Sequence, residues 1–109
     1  MNNSDAKVKC AQLNSTLPSI HSLEENQFVW NLSKETLLSG EYVRNISWVW
    51  LDGSAWDYSY WAAGEPGEGG CLAMTQRGSW CSQHCSKKVK EIVCKLRRGR
   101  LGLNRLPIL

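Results

Sequence analysis

A chain of 109 residues, 42% of them hydrophobic, is long enough for one domain with one modest core. No apolar run approaches the roughly 18–20 residues of a membrane-crossing helix, so the sequence carries no transmembrane span. The net charge of +3 is uneven: Arg77, Lys87, Lys88, Lys90, Lys95, Arg97, Arg98, Arg100 and Arg105 face a single acid, Glu91, in the last third, whereas residues 1–76 are acidic on balance. A basic end of this kind attracts anionic partners, an anionic glycan among them, or is simply a solvated tail. No phosphate-binding loop or nucleic-acid motif accompanies it, so nucleic acid is not an expected partner.

Six Trp and five Cys are high usage for this length. Buried Trp removes a large apolar area from water, so a few can anchor a small core. Cysteine-dense small domains belong to oxidising compartments. Sequons at Asn2, Asn14, Asn31 and Asn45 are glycosylated only in the secretory pathway. Against this, Met1-Asn2-Asn3-Ser4-Asp5 has no basic segment followed by an apolar one, and so does not read as a signal peptide. Either the chain is a piece of a longer secreted protein or it is cytosolic with free thiols. The disulfide logic favours the piece.

In chain order, Ser4 to Leu13 reads as a helix capped by Ser4 or Asp5, with Ala6, Cys10 and Leu13 on its buried face. Leu17-Pro18-Ser19-Ile20 is an extended link. Ser22-Leu23-Glu24-Glu25 is a capping box: the Ser22 hydroxyl accepts from the Glu25 N–H, and Glu25 reaches back. The second helix runs to about Ser33, with Leu23, Phe28 and Leu32 marking its buried side and Val29 and Trp30 making that side broad. Leu37 and Leu38 begin a strand that Gly40 ends. Ser47 to Leu51 is a strand, and Asp52-Gly53 a turn. Residues 54–70, with five glycines and prolines from Gly64 onward, form a long loop. Cys71 to Thr75 is a strand, Arg77-Gly78 a turn, and Trp80 opens another short element. Glu91 to Leu96 is the closing strand, with Ile92 and Cys94 on one face and Val93 on the other, and residues 97–109 form a basic tail.

These residues together resemble the C-type lectin-like domain. Ala6 to Leu13 is similar to its first helix and first cysteine, and Leu17 to Val29 to its link and second helix. Trp48-Val49-Trp50-Leu51-Asp52-Gly53-Ser54, Tyr58-Ser59-Tyr60-Trp61 and Gly64-Glu65-Pro66-Gly67 resemble the approach to its sugar-binding loop, and Cys71, Trp80, Cys85 and Cys94 complete the pattern. The match covers residues 4–96 and is similar to small secreted fish lectins. It implies an α+β fold of two helices and two small antiparallel sheets with a long irregular loop. It also implies an extracellular location, a carbohydrate or glycoprotein ligand, and no enzymatic activity. Spacing alone does not choose among cysteine connectivities; the resemblance implies Cys10–Cys94 and Cys71–Cys85, leaving Cys81 as a free thiol. The family's first strand, which pairs with the last, has no counterpart here, so Ile92-Val93-Cys94 is expected to be an open edge. The strand after the second helix, usually rich in Trp, Ile and Gly, is represented only by Leu37-Leu38-Ser39-Gly40.

In sugar-binding members, calcium is held by a Glu-Pro-Asn or Gln-Pro-Asp triplet, a following Glu and an Asn-Asp pair after a Trp, and sugar hydroxyls complete the coordination. The resemblance therefore puts the candidate sugar site at Glu65, Pro66, Gly67, Glu68 and Trp61, with Glu65 and Glu68 as weak calcium ligands and Pro66 after a cis peptide. Calcium wants six to eight hard oxygens. Here Gly67 replaces an amide side chain, and Cys81-Ser82 stands after Trp80 where the family has Asn-Asp. The expectation is a degenerate site; the alternative is a calcium-independent module that binds protein or an anionic glycan. Trp56 and Trp61 either stack on sugar or belong to the core. Cys71, Cys81, His84 and Cys85 could in principle hold zinc, but their spacing is not that of paired Cys-x-x-Cys ligands. His21 and His84 belong to no hydrolase arrangement, and three-residue spacing supports a Cys81–His84 nucleophile pair poorly.

Overall fold

The computed structural model describes residues 1–44 and 46–96, and the backbone of 103–107. Helix α1 spans Asn3–Gln12. Its cap is Asn2, not Ser4 or Asp5: the Asn2 side chain accepts from the Asp5 N–H at 3.0 Å. Asn3, Ala6 and Cys10 are buried, one turn apart along one face. Leu13 is past the last turn and 43% exposed, so it does not belong to that face.

Helix α2 spans Leu23–Leu32. Ser22 Oγ accepts from the Glu25 N–H at 3.1 Å, and Glu25 reaches back to the His21 N–H, 2.8 Å away, while its other oxygen accepts from Lys95 Nζ at 2.9 Å. The buried face is only in part the one read from the apolar residues. Asn26 and Val29 point inward, with Leu32 and Trp30 packed beside them, whereas Leu23 and Phe28 are about half exposed. A buried polar group sets this rotation. Asn26 Nδ2 donates to the Gly78 carbonyl at 2.8 Å, and its Oδ1 accepts from Trp80 Nε1 at 2.7 Å. Turning Phe28 inward would break both bonds and strand the Trp80 donor, which costs more than one exposed ring.

The strands are β1 (Ser15–Thr16), β2 (Leu37–Val43), β3 (Ser47–Trp50), β4 (Cys71–Met74), β5 (Trp80–Gln83), β6 (Glu91–Leu96) and β7 (Leu103–Pro107). Two sheets result, ordered β1-β6-β7 and β3-β2-β4-β5, and all pairings are antiparallel. Strand β2 does not stop at Gly40. That glycine marks a close approach: a Cβ there would stand 2.6 Å from a Leu72 methyl and 3.2 Å from the Trp56 ring.

Three strands are buried on both faces and read as near-continuous apolar runs. Leu38, Leu72, Met74 and Val93 point into one core with Ile20, Val29, Trp50 and Trp80. Leu37, Ala73, Ile92 and Cys94 point into a second, under α1, with Ala6, Cys10 and Leu17. The alternation of Ile92 and Cys94 against Val93 thus serves two cores. Disulfides join Cys10 to Cys94 across the second core and Cys71 to Cys85 at the start of the β5–β6 loop, and Cys81 is a free thiol.

The last strand is not an open edge. β6 lies between β1 and β7, with Glu91 to Lys95 paired against residues 107 to 103. Of the expected basic tail, residues 97–102, 108 and 109 lie outside the described residues, and the backbone of 103–107 is a strand. The sequence showed no strand period there. Backbone pairing asks little of side chains, so an aperiodic segment can cover an exposed edge.

Candidate functional site

The long loop leaves β3 at Trp50 and returns at Cys71, and it is tied to the body of the domain at both ends. At its start, Asp52 accepts from the Ser19 hydroxyl and from both the N–H and hydroxyl of Ser54. Burial alone would raise the Asp52 carboxyl, but these hydrogen bonds bring it below the ordinary carboxylate value. His21 Nδ1 lies 2.6 Å from Asp57 Oδ1, which ties the same stretch to the start of α2. In the middle, Trp80 N–H donates to the Tyr60 carbonyl at 2.8 Å and Ala62 N–H donates to the Trp80 carbonyl at 2.9 Å, so the loop runs beside β5 for one bridge.

Six tryptophans were the compositional signal, and five of them meet here. Trp56 stacks on Trp50 with centroids 4.3 Å apart, and Trp80 stands edge-on to Trp50, Trp56 and Trp61 at 5.5–6.1 Å. Trp48 lies 5.3 Å from Trp61. Trp56 and Trp61 are therefore anchored in the core and half-buried, and each leaves part of a ring at the surface. Tyr42, 40% exposed, extends the aromatic surface at 5.6 Å from Trp48, a contribution the sequence reading missed.

Beyond this wall lies Glu65, and the Glu65–Pro66 peptide is cis. Glu65 Oε1 accepts from the Ser82 N–H at 2.9 Å, the Gly67 N–H at 3.0 Å and the Ser82 hydroxyl at 3.2 Å. The Ser82 N–H is the main reason its carboxyl lies below the ordinary glutamate value; burial works against it, and the Gly67 N–H and Ser82 hydroxyl add to the lowering. Ser82 Oγ also accepts from the Gly67 N–H at 2.8 Å and lies 3.0 Å from the Glu68 carbonyl. Glu65 Oε2 has no hydrogen bond among the described residues. A Cβ on Gly67 would sit 3.7 and 3.8 Å from the two Glu65 carboxylate oxygens, in ordinary contact. An amide side chain would thus lie alongside the carboxylate, and its place is open. Gly69 is needed for the close return of the loop: φ is +97°, and a Cβ would fall 2.2 Å from the Gln83 carbonyl carbon.

The structure brings Glu65, Gly67 and Ser82 together, with Trp61 in the adjoining wall. Of the Glu68 side chain no contact is recorded; its carbonyl is what Ser82 meets. Cys81 is elsewhere. It follows Trp80 on the strand, so it points to the other face of β5 and packs against the second core. Burial pushes its thiol up, with the Glu65 charge adding to it, which makes it a poor nucleophile and a poor ligand. Zinc does not fit either, because Cys71 and Cys85 are spent on each other. Among the described residues no three His, Cys, Asp or Glu converge as a metal set. Calcium fits poorly: one oxygen of Glu65 already accepts from three protein donors, and among the described residues no set of three His, Cys, Asp or Glu gathers around it.

Residues 1–96 match the family model of the lectin C-type domain. The human low affinity immunoglobulin epsilon Fc receptor is 37% identical over 100 residues, covering 82% of this chain and 30% of the receptor. Mouse proteoglycan 3 is 38% identical over 79 residues, 63% of this chain and 36% of its own length. A lectin of Pleurodeles waltl is 31% identical over 107 residues, 84% of this chain and 62% of that lectin. The chain spans about a third of the length of the first two relatives. Among solved structures, the C-type carbohydrate-recognition domain of cow CD23, determined in the presence of a GlcNAc2Man3 oligosaccharide, aligns with TM-score 0.73 and 27% identity over 78% of this chain and 71% of that one. A calcium-independent type II antifreeze protein aligns equally well, with the same TM-score, identity and coverage. Among the described residues, no helix is long and apolar enough to cross a membrane.

Proposed function

The chain belongs to the lectin C-type domain family, and from that premise we propose that it is a carbohydrate-recognition module with a degenerate calcium and sugar site, built within residues 4–96. The observation that carries this is the state of Glu65. By the resemblance its carboxylate corresponds to the first member of the family's metal-binding triplet, and its Oε1 is filled by Ser82 and Gly67. Oε2, which has no hydrogen bond among the described residues, is an acceptor for a sugar hydroxyl, and Trp61 and Trp56, both half-buried, are the rings on which an apolar sugar face can rest. Glu65, Pro66, Gly67, Glu68 and Trp61 form the site, and no step in this recognition passes through a metal. The ligand is the glycan of a glycoprotein or a free oligosaccharide. The work is binding, not catalysis: the relatives are named as lectin, receptor and proteoglycan. Two disulfides support an extracellular setting, where they persist.

Retention on immobilised glycans with calcium and with EDTA tests the reading. Weak retention that is the same in both supports it. Complete elution by EDTA would show a working calcium site, and absence from every glycan surface would remove the carbohydrate reading. In that last case the calcium-independent protein-binding module becomes the better account, which the receptor relative favours.

A further inference from the structure

A second concave surface lies on the face of β5 opposite to Ser82. Strand alternation turns Cys81 and Gln83 to that side, and they line the floor of a groove of about 570 Å³ between the turn after α2 and the loop joining β5 to β6. Its walls carry Lys34, Lys87, Lys88 and Lys90. Glu35 and Glu91 also line it, so cations outnumber acids by two to one there. Lys34 Nζ stands 3.3 Å from the centre of the Trp30 ring and donates to the Trp30 carbonyl. Lys87, Lys88 and Lys90 are exposed or nearly so, and no ion pair involves them among the described residues.

The lysine loop is held at both ends. Cys85 is crosslinked to Cys71, and its carbonyl accepts from the Asn3 N–H at 3.2 Å. Lys87 N–H closes a turn onto the His84 carbonyl at 3.0 Å. Val89 packs against the second core and donates its N–H to the Met1 carbonyl at 2.9 Å. With Val89 turned inward, its neighbours Lys88 and Lys90 are exposed at the surface. Like charges are thus held close together by the frame. Their mutual repulsion is relieved by a polyanion. Gln83 Nε2 is buried beside the groove with no acceptor among the described residues, a donor left over on the same side.

We propose that this groove binds the sulfate groups of an anionic glycan, through Lys34, Lys87, Lys88 and Lys90, at a site separate from the Glu65 loop. Four ammonium groups offer point charges and no guanidinium fork, which suits sulfates spaced along a chain better than bidentate phosphate capture. No aromatic side chain lines the groove among the described residues, so it lacks the stacking platform of a single-stranded nucleic-acid channel. The polar lining by Thr75, Gln76 and Gln83 can hydrogen-bond sugar hydroxyls between the sulfates. This inference does not rest on neutral-sugar recognition at Glu65, and either can fail without the other.

The test is binding of the full chain to an immobilised heparin-derived oligosaccharide in EDTA at about 0.15 M salt. Lys87→Gln/Lys88→Gln/Lys90→Gln should weaken binding by about tenfold or more and flatten its salt dependence. Should that variant melt early, Lys88→Glu, one charge reversal on an exposed side chain, should weaken binding in the same direction. The parent should ignore the chemically desulfated oligosaccharide. Three results would overturn the proposal: unchanged affinity in both lysine variants, equal binding to single-stranded DNA, or loss of binding only in Arg97→Gln/Arg98→Gln/Arg100→Gln.

Discussion

The outer edge of β6 and the loop around Glu65 are both closed by groups from elsewhere in the chain, and the two regions are closed differently. Along β6, residues 91–95 pair with 103–107 through main-chain donors and acceptors that every residue except proline carries in full. Around Glu65, the Ser82 and Gly67 amides and the Ser82 hydroxyl fill the Oε1 position. The first set of bonds covers a strand edge. The second satisfies one oxygen of a carboxylate without supplying a cation ligand, because N–H donors neutralise an anion but cannot ligate a metal. Backbone bonds ask for no particular side chain, whereas a side-chain cation site needs a specific set of oxygens.

The largest expected effect probes the frame common to both regions. Cys10→Ala/Cys94→Ala opens a crosslink spanning 84 residues, and the chain-entropy account puts the loss at about 4–5 kcal/mol. Chemical denaturation of the oxidised parent and the double variant measures it; a change below about 1 kcal/mol would contradict the account. Next comes the rotation of α2. Asn26→Ala leaves the buried Trp80 Nε1–H and the Gly78 carbonyl without partners, a cost of about 2–4 kcal/mol read in the same experiment. Deletion of residues 103–109 should cost about 1–5 kcal/mol, from five cross-strand pairs each worth a few tenths to one. It should also raise light scattering on heating, since β6 then offers a free edge. An unchanged melt would mean that β7 contributes nothing to the frame.

The smallest effect belongs to the loop. The Glu65 carboxyl lies below the ordinary glutamate value, held there chiefly by the Ser82 N–H. A depressed folded value contributes stability that is present above the unfolded glutamate range and is lost as pH falls through the lower folded value. Ser82→Ala removes the hydroxyl but keeps the larger cause, the Ser82 N–H. NMR titration should therefore show Glu65 moving only part of the way back up. A full return to the ordinary value would assign the shift to the hydroxyl instead.

Much of the frame was legible in the sequence because its signals are local or covalent. The Ser22-to-Glu25 capping box, the alternation in Glu91 to Leu96 and the turn at Gly78 each need only a few neighbouring residues, whereas the cysteine pairing came from the family resemblance and not from spacing. What was not legible depends on partners far along the chain. Nothing local marks Asn26 as buried; its donor is Trp80, 54 residues on, and that bond turns Phe28 away from the core. Gly40 reads locally as a stop, and only the Leu72 methyl and the Trp56 ring show why a strand runs through it. β7 has no period to read because its pairing lies in the main chain. At the site, Ser82 registered only as an absent aspartate, whereas in the fold its N–H and hydroxyl occupy the carboxylate.

Calcium titration by calorimetry tests the contrast most directly, on the parent and on Gly67→Asn/Ser82→Asp. The open space beside Glu65 admits an amide at position 67, and an aspartate at 82 replaces the hydroxyl donor with oxygens. The account predicts no binding by the parent in the micromolar range and a clear gain in affinity in the double variant. Micromolar calcium binding by the parent would contradict it, because Glu65 would then be free to coordinate and its pairing with Ser82 would not be what closes the site.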